Sequence, residues 1–542
     1  MHPSEQSASC DIEPNGTMLT RALSCTLVGG TCLASLGGAV HAQYPSVPPP
    51  PPCHAAASPA KRSVSRTPDA RSVGIVLFQN TATDPNDAFL ARSLDIRVAE
   101  ELLASGALSV VGSQKFGYET LATLRGVGVV GRALGVSYIL GARVGRAETG
   151  DITVLAQLRR SSDGASVWSS NRSAAMRDVP TLIAELAQSV VGAVTNRDLT
   201  SRQASARLAG WSDPPSGEAV SHFLRGKYQS SLNTLTGYEA ALAQFDSAAR
   251  SDPGSAVAFA SSALTIATML EWGWWDYGEP RVGQLAERGL AAVDRALQLD
   301  STLADAWIAR GSLLGFRNPR TYAGVFSSYT RAVAYSPRDP AVHHWYGRAL
   351  MQVGERSAAR RELRKALELA PTDAAILFDL AQLYRHEGSY SSTCILLDSA
   401  VASSPTAAQV YVLRALTRAR RGEIRFAWAD AETGGRLGWP FWGQAASAAI
   451  DAMARDTSGA RERTDVLRKA TAAVGNKPRQ WTSEYLAIAL TASGQTERAL
   501  DLLEHVQPRG ARLWFALTSP DFAPLRKTQR FRELVAASHP RR

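Results

Sequence analysis

"PRDPAVHHWYGRALMQVGERSAARRELRKALELAPTD", residues 337–373, opens and closes on the same kind of phrase, a proline–acid pair. Small and large apolar residues alternate between the two ends. The phrase recurs. Pro337, Pro371 and Pro405 stand 34 residues apart, and so do Ala332, Ala366 and Ala400, and Gly354, Gly388 and Gly422. Tyr346 pairs with Leu380, Leu350 with Tyr384, and Leu363 with Leu397 at the same step. Such a unit reads as two helices. Small residues such as Gly347, Ala359 and Ala366 let them approach, and Tyr346, Leu350 and Leu363 fill the gap. Proline ends the second helix and turns the chain. One helical hairpin cannot bury its apolar face alone, so several must stack.

This period and residue pattern resemble the tetratricopeptide repeat. The series extends upstream through "YEAALAQFDSAARSDP" (238–253) and "GLAAVDRALQLD" (289–300), with insertions containing "EWGWWDYGEP" and "GFRNPRTY". Downstream, "GEIRFAWADAETGGRLGWP" is degraded and "YLAIALTASGQTERALDLLEHVQP" (485–508) restores the pattern. The spacing predicts about seven units over 217–510, and a capping helix and tail over 511–542.

The N-terminal part is of another kind. "MLTRALSCTLVGGTCLASLGGAVHAQ" has the basic, apolar, small-residue order of a secretory signal, which predicts a cleaved leader over 1–42. Acidic residues before Met18 suit a leader poorly, and Met18 is the alternative start. The apolar stretch is too short and too rich in Gly and Ser for a permanent span, so no transmembrane segment is expected after cleavage. Residues 43–72, with "YPSVPPPPP", read as a proline-rich flexible linker. Cys10, Cys25 and Cys32 fall in the leader. Cys53 lies in the linker and Cys394 in a helical pattern, and this spacing predicts no disulfide framework.

Residues 73–197 read as a compact α/β domain of order β-α-β-α-β-β-β-α, followed by a linker at 198–216. "VGIVLF" is a central strand, "DPNDAFLARSLDIRVAEELLASG" a helix stopped by Gly106, and Asp163-Gly164 a hairpin turn. "VLFQNTATDPNDAFLARSLDIRVAEEL", "GRALGVSYILGARV" and "VLAQLRRSSDGASVWS" resemble the TolB amino-terminal-like domain found beside tetratricopeptide repeats in many bacterial regulators. In that family a DNA-binding, kinase or cyclase domain usually comes first. Here a leader and proline tether take that place. The fold class expected is therefore α+β and multidomain: a small α/β domain, then an all-α solenoid.

Chemistry-bearing motifs are few. "GVGVVG" (126–131) matches G-x-G-x-x-G, but it follows a helical pattern instead of a strand, so no dinucleotide cofactor is expected. His343-His344 lacks a third ligand, and helical neighbours point about 100° apart; no metal is expected. No H-E-x-x-H, P-loop or G-x-S-x-G motif occurs, and residues 73–197 contain no His or Cys, a poor basis for a hydrolase. Trp272, Trp274 and Trp275 are either an aromatic platform for a partner or packing against the next unit. One turn from the packing positions, His344, Arg348, Phe378, Gln382 and Arg385 are expected to face the concave groove. Arg348 and Arg385 there suit an acidic or carboxylate-bearing segment.

Charge is scattered: the net is +10 over 542 residues, with 20% charged and 45% apolar. No basic stripe interleaved with aromatics predicts nucleic-acid binding. The function expected is a non-catalytic scaffold for protein or peptide partners, exported to the periplasm or cell envelope. The alternative is a cytoplasmic signalling or transcription-associated adaptor of the same family; a hydrolase-type enzyme comes third.

Overall fold

The computed structural model describes residues 52–53, 69–196, 210–271, 279–437, 440–473, 480–506 and 509–540. The leader, most of the proline-rich stretch and Trp272, Trp274 and Trp275 lie outside them.

The N-terminal region is built on one mixed sheet of order β3-β1-β4-β5-β6, with the short β2 (Gln79–Asn80) beside β4. β1 (Ser72–Leu77) is buried from Ser72 to Val76, as a strand covered on both faces must be. It runs parallel to β3 (Ser109–Gly117) and β4 (Tyr138–Arg146). β4, β5 (Ile152–Arg160) and β6 (Ser166–Ala174) form an antiparallel meander. Its turns use Gly150 and Gly164 at φ +88 and +70. β5 alternates strictly, with Ile152, Val154, Ala156 and Leu158 inward. Helices α1 (Phe89–Ser105) and α3 (Val179–Thr195) share the core on one face. Helix α2 (Leu124–Leu134) packs on the other through Val127 and Val130 against Val76, Val111 and Ile139. The G-x-G-x-x-G string is interior to α2: Thr123 caps it by accepting from the Gly126 N–H (3.0 Å), and Gly131 stands over Ser161. No strand leads into it, so the turn a dinucleotide site needs is missing.

The apolar core of this region continues into the first helices that follow. Val220, Phe223, Leu224 and Phe245 join Phe89, Leu90 and Leu94 in one cluster. Arg225 lies over the Phe89 ring (4.2 Å), and Lys227 reaches Glu100 (3.1 Å).

From Gly217 onward the described residues form eight helical hairpins. They are α4–α5 (Gly217–Ser230, Leu235–Ser251), α6–α7 (Ala256–Glu271, Pro280–Leu299), α8–α9 (Ala304–Arg317, Ala323–Tyr335) and α10–α11 (Pro340–Gln352, Arg356–Leu369). Then come α12–α13 (Ala374–His386, Tyr390–Ser403), α14–α15 (Ala408–Arg420, Ile424–Leu437), α16–α17 (Pro440–Met453, Thr457–Ala473) and α18–α19 (Gln480–Ala492, Thr496–Glu504). The sequence predicts about seven; the additional one is α16–α17, whose alanine-rich first helix lacks the large apolar positions the period requires.

The periodic residues explain the geometry. Ala248, Ala296, Ala332, Ala366 and Ala400 are all fully buried, and the carbonyl of each accepts the N–H that ends its helix. Gly354, Gly388 and Gly422 take φ of +82, +76 and +80 between paired helices, a region only glycine enters freely. At Gly347 a Cβ would lie 2.7 Å from Leu363 Cγ; one and two periods on stand Ala381 and Ala415, both fully buried.

Two features depart from the sequence reading. Cys53 and Cys394 form a disulfide across 341 residues, which no local spacing signals. Cys53 donates its N–H to Asp398 (2.8 Å), and the Arg418 guanidinium lies 3.3 Å from its sulfur. Only the latter part of the C-terminal segment acts as a cap. The turn Pro520–Lys527 and α21 (Gln529–Ser538) bury Phe522, Leu525, Phe531 and Leu534 with Leu500 and Leu503, and Arg530 reaches Glu497, Asp501 and Glu504. Before them, α20 (Ala511–Leu517) packs against α10. No described helix is long and apolar enough to cross a membrane.

Gly347→Val should push α10 from α11 and lower stability by about 1–3 kcal/mol. Gly283→Ala, on an open helical face, should be neutral or stabilising by up to ~1 kcal/mol; thermal melts followed by circular dichroism separate the two. Reduction of the disulfide should lower stability by roughly 2–4 kcal/mol, and a Cys53→Ser variant should melt like the reduced protein whether or not dithiothreitol is present.

Candidate functional site: the inner-face chamber

The first helices of the hairpins line a chamber of about 250 Å³. Period and sterics put the same positions there in successive units. His344, Phe378 and Val412 are one series at the 34-residue step; Ala375 and Gln409 are another. Thr268 and Glu271 enter from α6, Trp442 from α16 and Tyr485 from α18, so widely separated units share one space. Tyr238 comes from α5 and Arg512 from α20. Four of the five predicted groove residues, His344, Arg348, Phe378 and Gln382, meet here.

The polar floor centres on Asp379, buried at 5% exposure. His344 Nε2 lies 2.7 Å from its carboxylate, Arg348 Nε 3.1 Å, and Gln382 donates at 3.2 Å. Arg348 also pairs with Glu271 (3.0 Å), which Arg512 approaches at 3.6 Å. Burial pushes the Asp379 carboxyl up; Arg348, then His344, outweigh it and hold it below the usual carboxylate range. Two arginines thus face two carboxylates, so each of these charges has an opposite partner within the floor.

This corrects the expectation for the arginines. Arg348 does not wait for an acidic segment; Glu271 and Asp379 already engage it. Arg385 is not in the chamber. It is 4% exposed and paired with Asp521 of the C-terminal segment. Trp272, Trp274 and Trp275 lie outside the described residues. His343 and His344 divide as the 100° step demands: His343 turns to Glu362 (2.7 Å) and the Pro337 carbonyl (2.8 Å), His344 to the chamber.

The surface left to a ligand is the wall: Tyr238, Trp345, Phe378, Val412, Trp442 and Tyr485. Val412 was within reach of the sequence by stepping the period from His344 and Phe378. Trp442 and Tyr485 were not, because the degraded units break the register. Chemically the arrangement suits apolar or aromatic groups, with the amides of Gln382, Gln409 and Asn233 to orient them. Among the described residues no Ser or Cys lines the chamber, and the Thr268 hydroxyl donates to Leu264 (2.8 Å), not to His344. Among the described residues no group of three or more His, Cys, Asp or Glu is placed to hold a metal ion.

Residues 340–383 match the family model of the tetratricopeptide repeat. The matched stretch spans α10, α11 and most of α12. No curated protein matches it. Among solved structures, yeast Tom70 is similar at 13% identity over 67% of this chain and 79% of its own, TM-score 0.37. A thermophilic tetratricopeptide protein of Thermus thermophilus is 20% identical over 38% and 98%, TM-score 0.30. The human IFIT1 dimer with m7Gppp-AAAA is 14% identical over 53% and 71%, TM-score 0.39.

Because the folded value of Asp379 is depressed, its contribution is complete above its unfolded value near 3.9 and is lost as pH falls below it. Asp379→Ala should cost about 3 kcal/mol, the low end for stripping a partner from a buried pair, since Glu271 still holds Arg348. Urea titrations at pH 7 and pH 3 should show the gap between variant and wild type narrowing in acid.

Proposed function

We propose that this protein is an exported, non-catalytic scaffold that holds a partner protein at the cell envelope through the aromatic walls of the inner-face chamber. The supporting observation is the chamber's chemistry: a preformed space with apolar walls over a floor already neutralised by its own ion pairs. Such a site takes apolar side chains without having to desolvate an unpaired charge. A rigid stacked array also leaves the ordering entropy to the bound segment alone.

Export is supported by the leader-like N-terminus and by the Cys53–Cys394 bond, since disulfides persist in oxidising compartments and are rare in the cytosol. The same bond weighs against the cytoplasmic adaptor. In this reading the N-terminal region is a TolB amino-terminal-like module, and its role is to seal the first hairpin.

The test is a photo-crosslinker, benzoylphenylalanine, at position 378, expressed in the native host. A discrete adduct with an envelope protein is expected, absent when the probe replaces Ile395 on the outer face, where 54% of the side chain is exposed. Equal capture at both positions, or none at 378, overturns the proposal.

A further inference from the structure

Beside the chamber the inner face carries a second seat, and the chain's own C-terminal segment lies in it. Gly510 comes so close to Pro319 that a Cβ would stand 2.5 Å from the Pro319 carbonyl oxygen, and Ala511 donates its N–H to that oxygen (3.1 Å). Trp514 covers Gly354, where a Cβ would meet the indole at 2.6 Å. Phe515 stacks on His386 with ring centres 3.9 Å apart, in a bed of Leu350, Met351, Leu380 and Leu383. Asp521 accepts from Arg385 and from Arg420 Nε (2.8 Å), with Ser519 donating to it at 2.8 Å. One short segment therefore touches the inner ends of the third, fourth, fifth and sixth hairpins.

The seat is not fully satisfied by this occupant. Among the described residues, His386 Nδ1 and Arg385 Nε are buried beneath the segment without a hydrogen-bond partner. Their residues are 8% and 4% exposed. Burial, then the charge of Arg385, presses the His386 imidazole down to about 3, so the ring is neutral. Native structures rarely leave such atoms unpaired, and two together mark a place where a different ligand would bond better. The occupant is also weakly self-supporting: α20 spans seven residues, too few for a helix stable by itself.

We infer that this seat is a peptide site for a partner's short helical segment bearing an aromatic pair followed by a carboxylate, with residues 511–521 as its resident competitor. The aromatic pair replaces Trp514 and Phe515 on Gly354 and His386; the carboxylate replaces Asp521 between Arg385 and Arg420. A polar group one turn from the aromatics can reach the nitrogens left unpaired. The resident segment is tethered, so its effective concentration is on the order of millimolar, and only a ligand making those additional bonds, or present in excess, displaces it. The inference rests on the scaffold reading but uses a different seat.

The probe is a fluorescent peptide with the sequence of residues 509–524, added to the full disulfide-bonded chain. Phe515→Ala, which loosens the resident segment, should bind it about tenfold or more tightly than wild type does, and a peptide carrying Asp521→Asn should lose that gain. Equal affinity for the two proteins, or for the two peptides, overturns the inference. Should Phe515→Ala fail to fold, hydrogen exchange on wild type decides. With millimolar peptide, 511–521 should lose protection while 340–352 and 374–386 keep theirs; no change in 511–521 refutes the proposal. A crosslinked partner at position 378 with no peptide effect would sink this inference and leave the scaffold standing.

Discussion

No helical hairpin of this kind can cover its own apolar faces, so each needs a neighbour on both sides. The interior units satisfy one another through shared clusters: Leu350 and Leu363 of the fourth hairpin with Leu380 and Leu383 of the fifth, and Leu377 and Leu397 of the fifth with Val410 and Leu413 of the sixth. The two ends need other means. At the start, Val220, Phe223 and Leu224 are sealed by α1 of the α/β region, within one continuous core. At the finish, Phe522, Leu525, Phe531 and Leu534 close over Leu500 and Leu503. The α/β region is thus part of the array's packing and not an independent bead before it.

The second constraint is charge. The chain is rich in arginine, and several arginines lie on first helices, where exposed ones would make a basic groove. They are instead neutralised at short range: Arg348 by Glu271 and Asp379, Arg385 by Asp521, Arg414 by Asp398 and Asp430, Arg418 by Asp430. Pairs this deep add little net stability, because desolvation offsets much of the attraction. They tie particular elements together: Arg348 links α10 to α6 and α12, Arg385 links α12 to the C-terminal turn, and Arg414 links α14 to α13 and α15.

Much of the fold was legible because its signals are local. Strict alternation in β5, the turns at Gly150 and Gly164, and the alanine, glycine and proline series all act through spacing. The hairpin α16–α17 was not legible, since alanines replace the large residues that carry the period. The site was half legible. His344, Phe378 and Gln382 follow from one helical turn and one repeat, but the direction of an arginine depends on which carboxylate reaches it first. For Arg385 that is Asp521, 136 residues away. The Cys53–Cys394 pairing is hidden for the same reason: only the folded array brings the two sulfurs together.

That bond also alters how the molecule is held. Its Cα atoms are 5.5 Å apart, whereas the backbone route from Cys53 to the sheet runs through all of residues 54–71. Tension arriving from the chain before Cys53 is carried by whichever covalent route draws taut first, and the short one leads into α13. A tug on the N-terminus is therefore delivered to the fifth hairpin, in the middle of the repeat stack, and bypasses β1. The α/β sheet is spared the pull, and the hairpins that frame the inner face receive it.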